Sequence, residues 1–111
     1  MKLPKKISKS EKYELSSGVD AVDIKLPIDY KSLPFHMADF YVHAQQSTVR
    51  EAHHFRELWY VLEGEGYLTS SENTIKISSG DTIFIESHIP HEVKNLNNQV
   101  FKALSIWWIQ E

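Results

Sequence analysis

The sequence predicts one all-β domain, a sandwich or barrel. Runs of four to ten β-branched and aromatic residues recur between Gly, Asn, Ser and Pro turns, the pattern of short strands closing on one another. No window sustains a helical period with caps at both ends. The length, 111 residues with 41% hydrophobic side chains, is one domain's worth of chain and enough for one core. Neither an internal repeat nor a Gly/Ser linker divides it.

In chain order, the first segment, residues 1–12, holds Lys2, Lys5, Lys6, Lys9 and Lys12 against one acid, Glu11. It is expected to be a basic N-terminal arm, solvated or docking an acidic partner, ahead of a barrel domain over 13–111. Val19 to Leu26 alternates apolar and polar residues and predicts a half-buried strand. Phe35 to Ala44 is an aromatic strand interrupted by Asp39. Gln45 to Arg56 is the one stretch that could be read as helical, and Thr48, Val49 and the adjacent histidines His53 and His54 weaken that reading. Leu58 to Leu62 predicts a short buried strand, and Tyr67–Thr69 and Thr74–Ile77 a hairpin about Ser70–Asn73. Thr82 to Ile85 and Val100 to Ile109 complete the set.

Composition excludes several functions. There is no Cys, hence no disulfide frame, zinc knuckle or thiol nucleophile. The formal charge is −3, from 12 basic and 15 acidic residues, which argues against nucleic acid. No apolar run approaches the roughly 18–20 residues of a membrane helix. The basic N-terminus has no apolar stretch of the kind a secretory signal carries, so a cytoplasmic location is expected. Nothing matches a nucleophile elbow, a phosphate-binding loop or a dinucleotide turn.

Any metal must therefore be held by His and carboxylates. There are six His, four of them in two clusters, His53-His54 and His88/His91. On a strand, side chains two apart share a face. Glu51, His53, Phe55, Glu57, Trp59 and Val61 then fall on one face, and His54, Leu58, Tyr60 and Leu62 on the other. Glu51, His53 and Glu57 can converge inside a barrel, while His54 points away unless a bulge resets the register. An inward Glu57 needs a cation, a proton or a donor. With His91 from a neighbouring strand, the set has the two-His-one-carboxylate composition of mononuclear iron(II) sites and also suits Mn, Zn, Ni or Co. His36 and His43 are read as surface or satisfied core residues, with His43 able to line a cavity. His88 is placed at a turn tip, and Asn95 is expected to satisfy backbone groups. Tyr41, Phe55, Trp59 and Trp107 are candidate pocket lining, and Trp107 and Trp108 are expected on opposite faces of the last strand.

The two His-bearing segments resemble the cupin superfamily. Its first motif, G-x5-H-x-H-x(3–4)-E-x6-G, places its second His on His53, its Glu on Glu57 and its last Gly on Gly64. Its second, G-x5-P-x-G-x2-H-x3-N, places Gly80, His91 and Asn95. The fifteen residues between them, 65–79, match the short spacing of small single-domain cupins. The resemblance covers about residues 35–108. It implies a double-stranded β-helix (jelly-roll) barrel with a divalent metal inside, often a homodimer. Departures are informative. Glu51 stands where the family has its first His, and Gln45 stands for the opening Gly. Glu86 and His88 replace the Pro and Gly of the second motif, with Pro90 shifted to just before His91, so the turn presenting His91 is expected to be rebuilt. Two ligand sets stay open. Glu51 joins His53, Glu57 and His91 on the metal, or it stands behind three ligands as the candidate catalytic base. His54 as a shifted ligand is a third option.

Three functions compete at this stage. One is a metal-dependent small-molecule enzyme, a dioxygenase or an isomerase, cyclase or decarboxylase. The second is a non-catalytic ligand-binding or sensing module. The third is a metal-free barrel, suggested by the lost His, Pro and Gly.

Overall fold

The computed structural model describes residues 3–26 and 34–109. Lys2 of the expected arm, and residues 27–33 and 110–111 of the expected 13–111 domain, lie outside that set. Among the described residues there are nine strands and no helix. They are β1 (Tyr13–Ser16), β2 (Val19–Asp23), β3 (His36–Val42), β4 (Arg56–Glu63), β5 (Glu65–Ser70), β6 (Asn73–Ser78), β7 (Thr82–Ile85), β8 (Glu92–Lys94) and β9 (Phe101–Trp108). A six-stranded antiparallel sheet, β1-β2-β3-β9-β4-β7, faces a three-stranded one, β6-β5-β8. This is an all-β jelly-roll barrel. No helix of the described chain is long and apolar enough to cross a membrane.

Seven strands coincide with the expected runs. The other two, β1 and β8, have four and three residues, too short for a periodic signal, and exist through pairing with β2 and β5. The possible helix over Gln45–Arg56 is absent, and the stretch runs from a turn at Gln45 into bridged, non-helical chain. Ser47 and Glu51 bridge Lys94 and His91, and the Thr48 amide donates to the Val93 carbonyl at 3.0 Å. Residues 47–51 thus lengthen the small sheet beside β8 before the chain crosses to β4 in the large one.

The large sheet changes character along its strands. At one end its inner face carries Val42, Val61, Phe101 and Ala103, fully buried against Leu68, Ile77 and Val93 of the small sheet. At the other end the same inner face, with Phe40, Trp59, Ser105 and Trp107, borders a cavity of about 530 Å³. The segment 48–55 forms its far wall. A tight crossing at the packed end explains one motif glycine. Gly64 has φ +80°, and a Cβ there would lie 2.6 Å from the Val100 carbonyl oxygen, closer than van der Waals contact allows, so only Gly fits.

The outer face of the sheet explains Asp39. It alternates outward on β3 yet is 3% exposed, because the N-terminal segment lies over it. Lys9 bridges Ile24, the Ser10 amide donates to Asp23 O at 2.8 Å, and Lys9 Nζ reaches Asp39 Oδ2 at 3.0 Å. A buried carboxylate of this kind needs a paired cation, and the segment supplies it. Residues 8–10 are accordingly sheet-bound.

Candidate metal centre

The site forms where the chain passes from the small sheet to the large one. Glu51 and His91 are backbone partners: the Glu51 amide donates to His91 O at 3.0 Å and the His91 amide to Glu51 O at 2.9 Å. Residues paired this way in an antiparallel bridge present their side chains on one face. His53 lies two residues on, its carbonyl accepting from the His88 amide at 2.6 Å. Glu57 enters from β4. His54, the exposed neighbour of His53, does not line the cavity, so the alternation expected from the sequence holds although regular strand begins only at Arg56.

The two imidazoles are held in the same way. His53 Nδ1 lies 3.0 Å from Phe55 O and His91 Nδ1 2.9 Å from Ile89 O. A carbonyl oxygen can only accept, so each Nδ1 carries a hydrogen and donates it. In the neutral ring this leaves the Nε2 lone pair free, the arrangement found behind metal-bound histidines. His53 also stacks on Phe55, centroids 3.8 Å apart and planes within 9°, and meets His91 edge-on at 4.8 Å.

Both Nε2 atoms face Glu57. Oε1 is 3.0 Å from His53 Nε2 and 3.6 Å from His91 Nε2, the second contact being beyond hydrogen-bond range. The other oxygen, Oε2, accepts from the Trp59 indole N–H at 2.7 Å and from the Ser105 hydroxyl. The sheet register explains this. Trp59 pairs with Ser105 across β4 and β9, and Glu57 precedes Trp59 by two residues on the same face. Burial alone would raise the Glu57 pKa, but His91, Ser105 and Trp59 outweigh it and hold the carboxyl below its usual range. Burial likewise pulls His91 down, and the Glu57 carboxylate, the Ile89 carbonyl and the Glu51 charge together lift it above the usual imidazole value.

Lone pairs on a carboxylate and a neutral imidazole repel at 3.0 Å, so a proton or a cation must sit among them. The donor set suits a metal. Ligand atoms of Glu51, His53 and His91 lie within 4.8 Å of one another, and an ion would draw them slightly inward, since opposite ligands on a first-row ion with bonds near 2.1 Å stand about 4.2 Å apart. Glu57 touches both histidines from the β4 side. The four residues singled out by the sequence are thus gathered at one place. His53, Glu57 and His91 are largely buried, and Glu51 is exposed on the open side.

A pattern match settles the family. The sequence pattern of the cupin domain family matches residues 39–107, well over half of the chain. The chain belongs to the cupin family. Across 97 residues this cupin is 29% identical to an uncharacterised protein of Methanocaldococcus jannaschii, covering 86% of this chain and 78% of that one. A Photorhabdus luminescens protein superposes with a TM-score of 0.79 at 24% identity, over 99% of this chain and 90% of that one. A predicted oxalate decarboxylase from Thermotoga maritima superposes at 0.74 with 20% identity, over 94% of each chain. At these identities the two structures speak for the barrel and not for a shared activity.

Gln45 and His88, which stand where the motifs have glycines, adopt left-handed conformations with φ 65° and 64°, a region that glycine enters without strain. Gln45 uses its side chain, Nε2 donating to Leu96 O at 3.0 Å and Asn97 O at 3.2 Å. The buried Asn95 amide group donates to Val42 O and Gln99 O, a backbone-satisfying role.

Other expectations divide. Phe55, Trp59 and Trp107 line the cavity, while Tyr41 lies on the outer face beneath the ammonium groups of Lys12 and Lys102. Trp108 turns the other way, tilted against Phe84. His43 pairs with Asp20 at 2.6 Å on the surface, and His36 stacks on Trp107. Ser105 went unnoticed in the sequence. Its signal was present: it is the one hydroxyl in the inward series Phe101, Ala103, Ser105, Trp107, where only a buried polar partner justifies a serine.

Proposed function

We propose that this cupin is a metal-dependent enzyme acting on a small molecule, of dioxygenase or isomerase/cyclase type. His53, Glu57 and His91 hold a divalent ion of the Fe, Mn, Zn, Ni or Co class. The observation that carries the reading is the pair of histidines whose Nδ1 hydrogens are spent on backbone carbonyls, leaving both Nε2 atoms turned toward one carboxylate beside an apolar cavity. A bound ion would supply Lewis-acid polarisation of a substrate oxygen or a docking point for O₂. Trp59 and Ser105 fix the Glu57 carboxylate by its far oxygen, so that its near oxygen keeps its direction. Glu51, on the open side of the cluster, completes the coordination or takes up a substrate proton. The carboxylates favour harder ions within this class.

Elemental analysis of the purified protein tests the metal directly. About one equivalent is expected in the wild type and little in His91→Ala or Glu57→Gln. Equal trace metal in all three would sink the reading. Turnover of diketones, flavonols and sugar acids, followed with and without O₂ consumption, separates the enzyme classes. Tight binding without turnover would favour the binding-module alternative.

A further inference from the structure

The cavity also selects by charge. Building on the metal-centre reading above, we propose that its substrate is an uncharged aromatic molecule presenting neighbouring hydroxyl or keto oxygens to the metal, and that carboxylates and phosphates are excluded.

Shape comes first. A volume of about 530 Å³ lies within the roughly 300–1,000 Å³ of sites that enclose small organic ligands. Phe40, Phe55, Trp59 and Trp107 form aromatic walls. They lean toward one another, Phe40 on Trp59 at 5.0 Å and 60°, Phe55 on Trp107 at 6.3 Å and 39°. Such surfaces favour a flat ring system through stacking and edge contacts. At the rim, Leu15 and Val49 line the cavity although they are more than half exposed in the free chain, so a bound ring would bury them.

Charge decides the class. Among the described residues no Lys or Arg lines the cavity, whereas Asp23, Glu51 and Glu57 do. Arg56, next to Glu57 in sequence, points to Glu86 instead. A divalent ion is neutralised by the two glutamates, and Asp23 leaves the wall negative. Three of the donors in the wall are already engaged, and the Ser16 and Thr48 hydroxyls beside them carry no charge to offset an anion. The Tyr13 hydroxyl donates to Asp23 at 2.7 Å, and the Ser105 hydroxyl and Trp59 indole both serve Glu57. An acid group on the ligand, away from the metal, would be desolvated with no counter-charge and meet like charge besides. Small dianions such as oxalate would also leave the aromatic walls uncovered.

Calorimetric titration tests this with a matched pair, 2,3-dihydroxynaphthalene and 6,7-dihydroxy-2-naphthoate, and with oxalate. Each is run against Mn²⁺-loaded and metal-free protein. The neutral diol is expected to bind at least tenfold more tightly than the naphthoate, with oxalate weaker still. Leu15→Lys, which places a cation at the exposed rim, should narrow the gap between diol and naphthoate at least threefold. Equal or tighter binding of the naphthoate or oxalate overturns the charge selection, as does failure of the neutral diol to bind. Metal content, measured on the same samples, reports separately on the metal centre. If no ion loads, that reading fails, and the metal-free titrations still decide the preference between diol and naphthoate.

Discussion

At the packed end of the barrel the inward positions of β4 and β9 are Val61, Phe101 and Ala103, with no exposed surface. Two to four residues further along the same faces stand Trp59, Glu57 and Ser105, bordering the cavity. Strand pairing and alternation are common to both ends, and only the side chains change. The packed end fills its volume with aliphatic and aromatic groups, whose burial stabilises the fold in proportion to apolar area. The cavity end leaves space and holds ionisable groups that need partners. Stability and chemistry thus share one sheet but sit at different heights along it, and substitutions at the two ends should separate them.

The largest effect is expected at the packed end. Phe101→Ala removes a fully buried ring touching Phe40 at 6.0 Å between centroids and should cost about 3–5 kcal/mol. Denaturant unfolding measures it. The metal content of the fraction that remains folded should be unchanged, and a parallel loss of metal under native conditions would erase the distinction between the ends. At the cavity end, Ser105→Ala removes one donor to Glu57. Outer hydrogen bonds of this kind are worth about 10–100-fold in metal affinity, so a loss near tenfold is expected in a competitive chelator titration. Stability should move by no more than about 1 kcal/mol, because Trp59 still serves Oε2.

A smaller effect belongs to the turn that joins the two clusters. His88 sits at φ 64°, a conformation costing a non-glycine residue about 1–2 kcal/mol. Part of that is recovered by His88→Gly, since glycine's own entropy opposes the gain. A rise in unfolding free energy of about 0.5–1 kcal/mol is expected, and a fall would show that the imidazole contributes to the fold.

The mildest test is at the cavity mouth. The Asp23 carboxylate accepting a hydrogen bond from the Tyr13 hydroxyl, with burial and the Asp23 charge in support, raises the Tyr13 pKa from 10.0 to about 12. The folded state keeps the proton that the unfolded chain releases. This contribution to stability is therefore full below about pH 10 and declines as pH rises toward 12. Ultraviolet titration should find a late-ionising tyrosine, and Tyr13→Phe should remove that step. Its persistence in the variant would place the raised pKa elsewhere.

Much of this was legible in the sequence for a physical reason. A half-buried strand must alternate, which marks β2, and runs of β-branched and aromatic residues mark β4, β7 and β9, while the two-residue repeat of a strand puts Glu51, His53, Glu57 and Trp59 on one face. The donor set was equally readable, because a chain without Cys has only His and carboxylates for a metal. Tertiary structure decided what depends on distant partners. β8 is a strand because β5 and residues 47–51 lie beside it. Asp39 is buried because Lys9 crosses its face. Ser105 matters because the register of β9 against β4 sets it opposite Trp59. Most of all, the direction of the two Nε2 atoms depends on where the carbonyls of Phe55 and Ile89 point. Residue types fixed which ligands were available, and backbone hydrogen bonds formed only in the folded chain turned them toward one point.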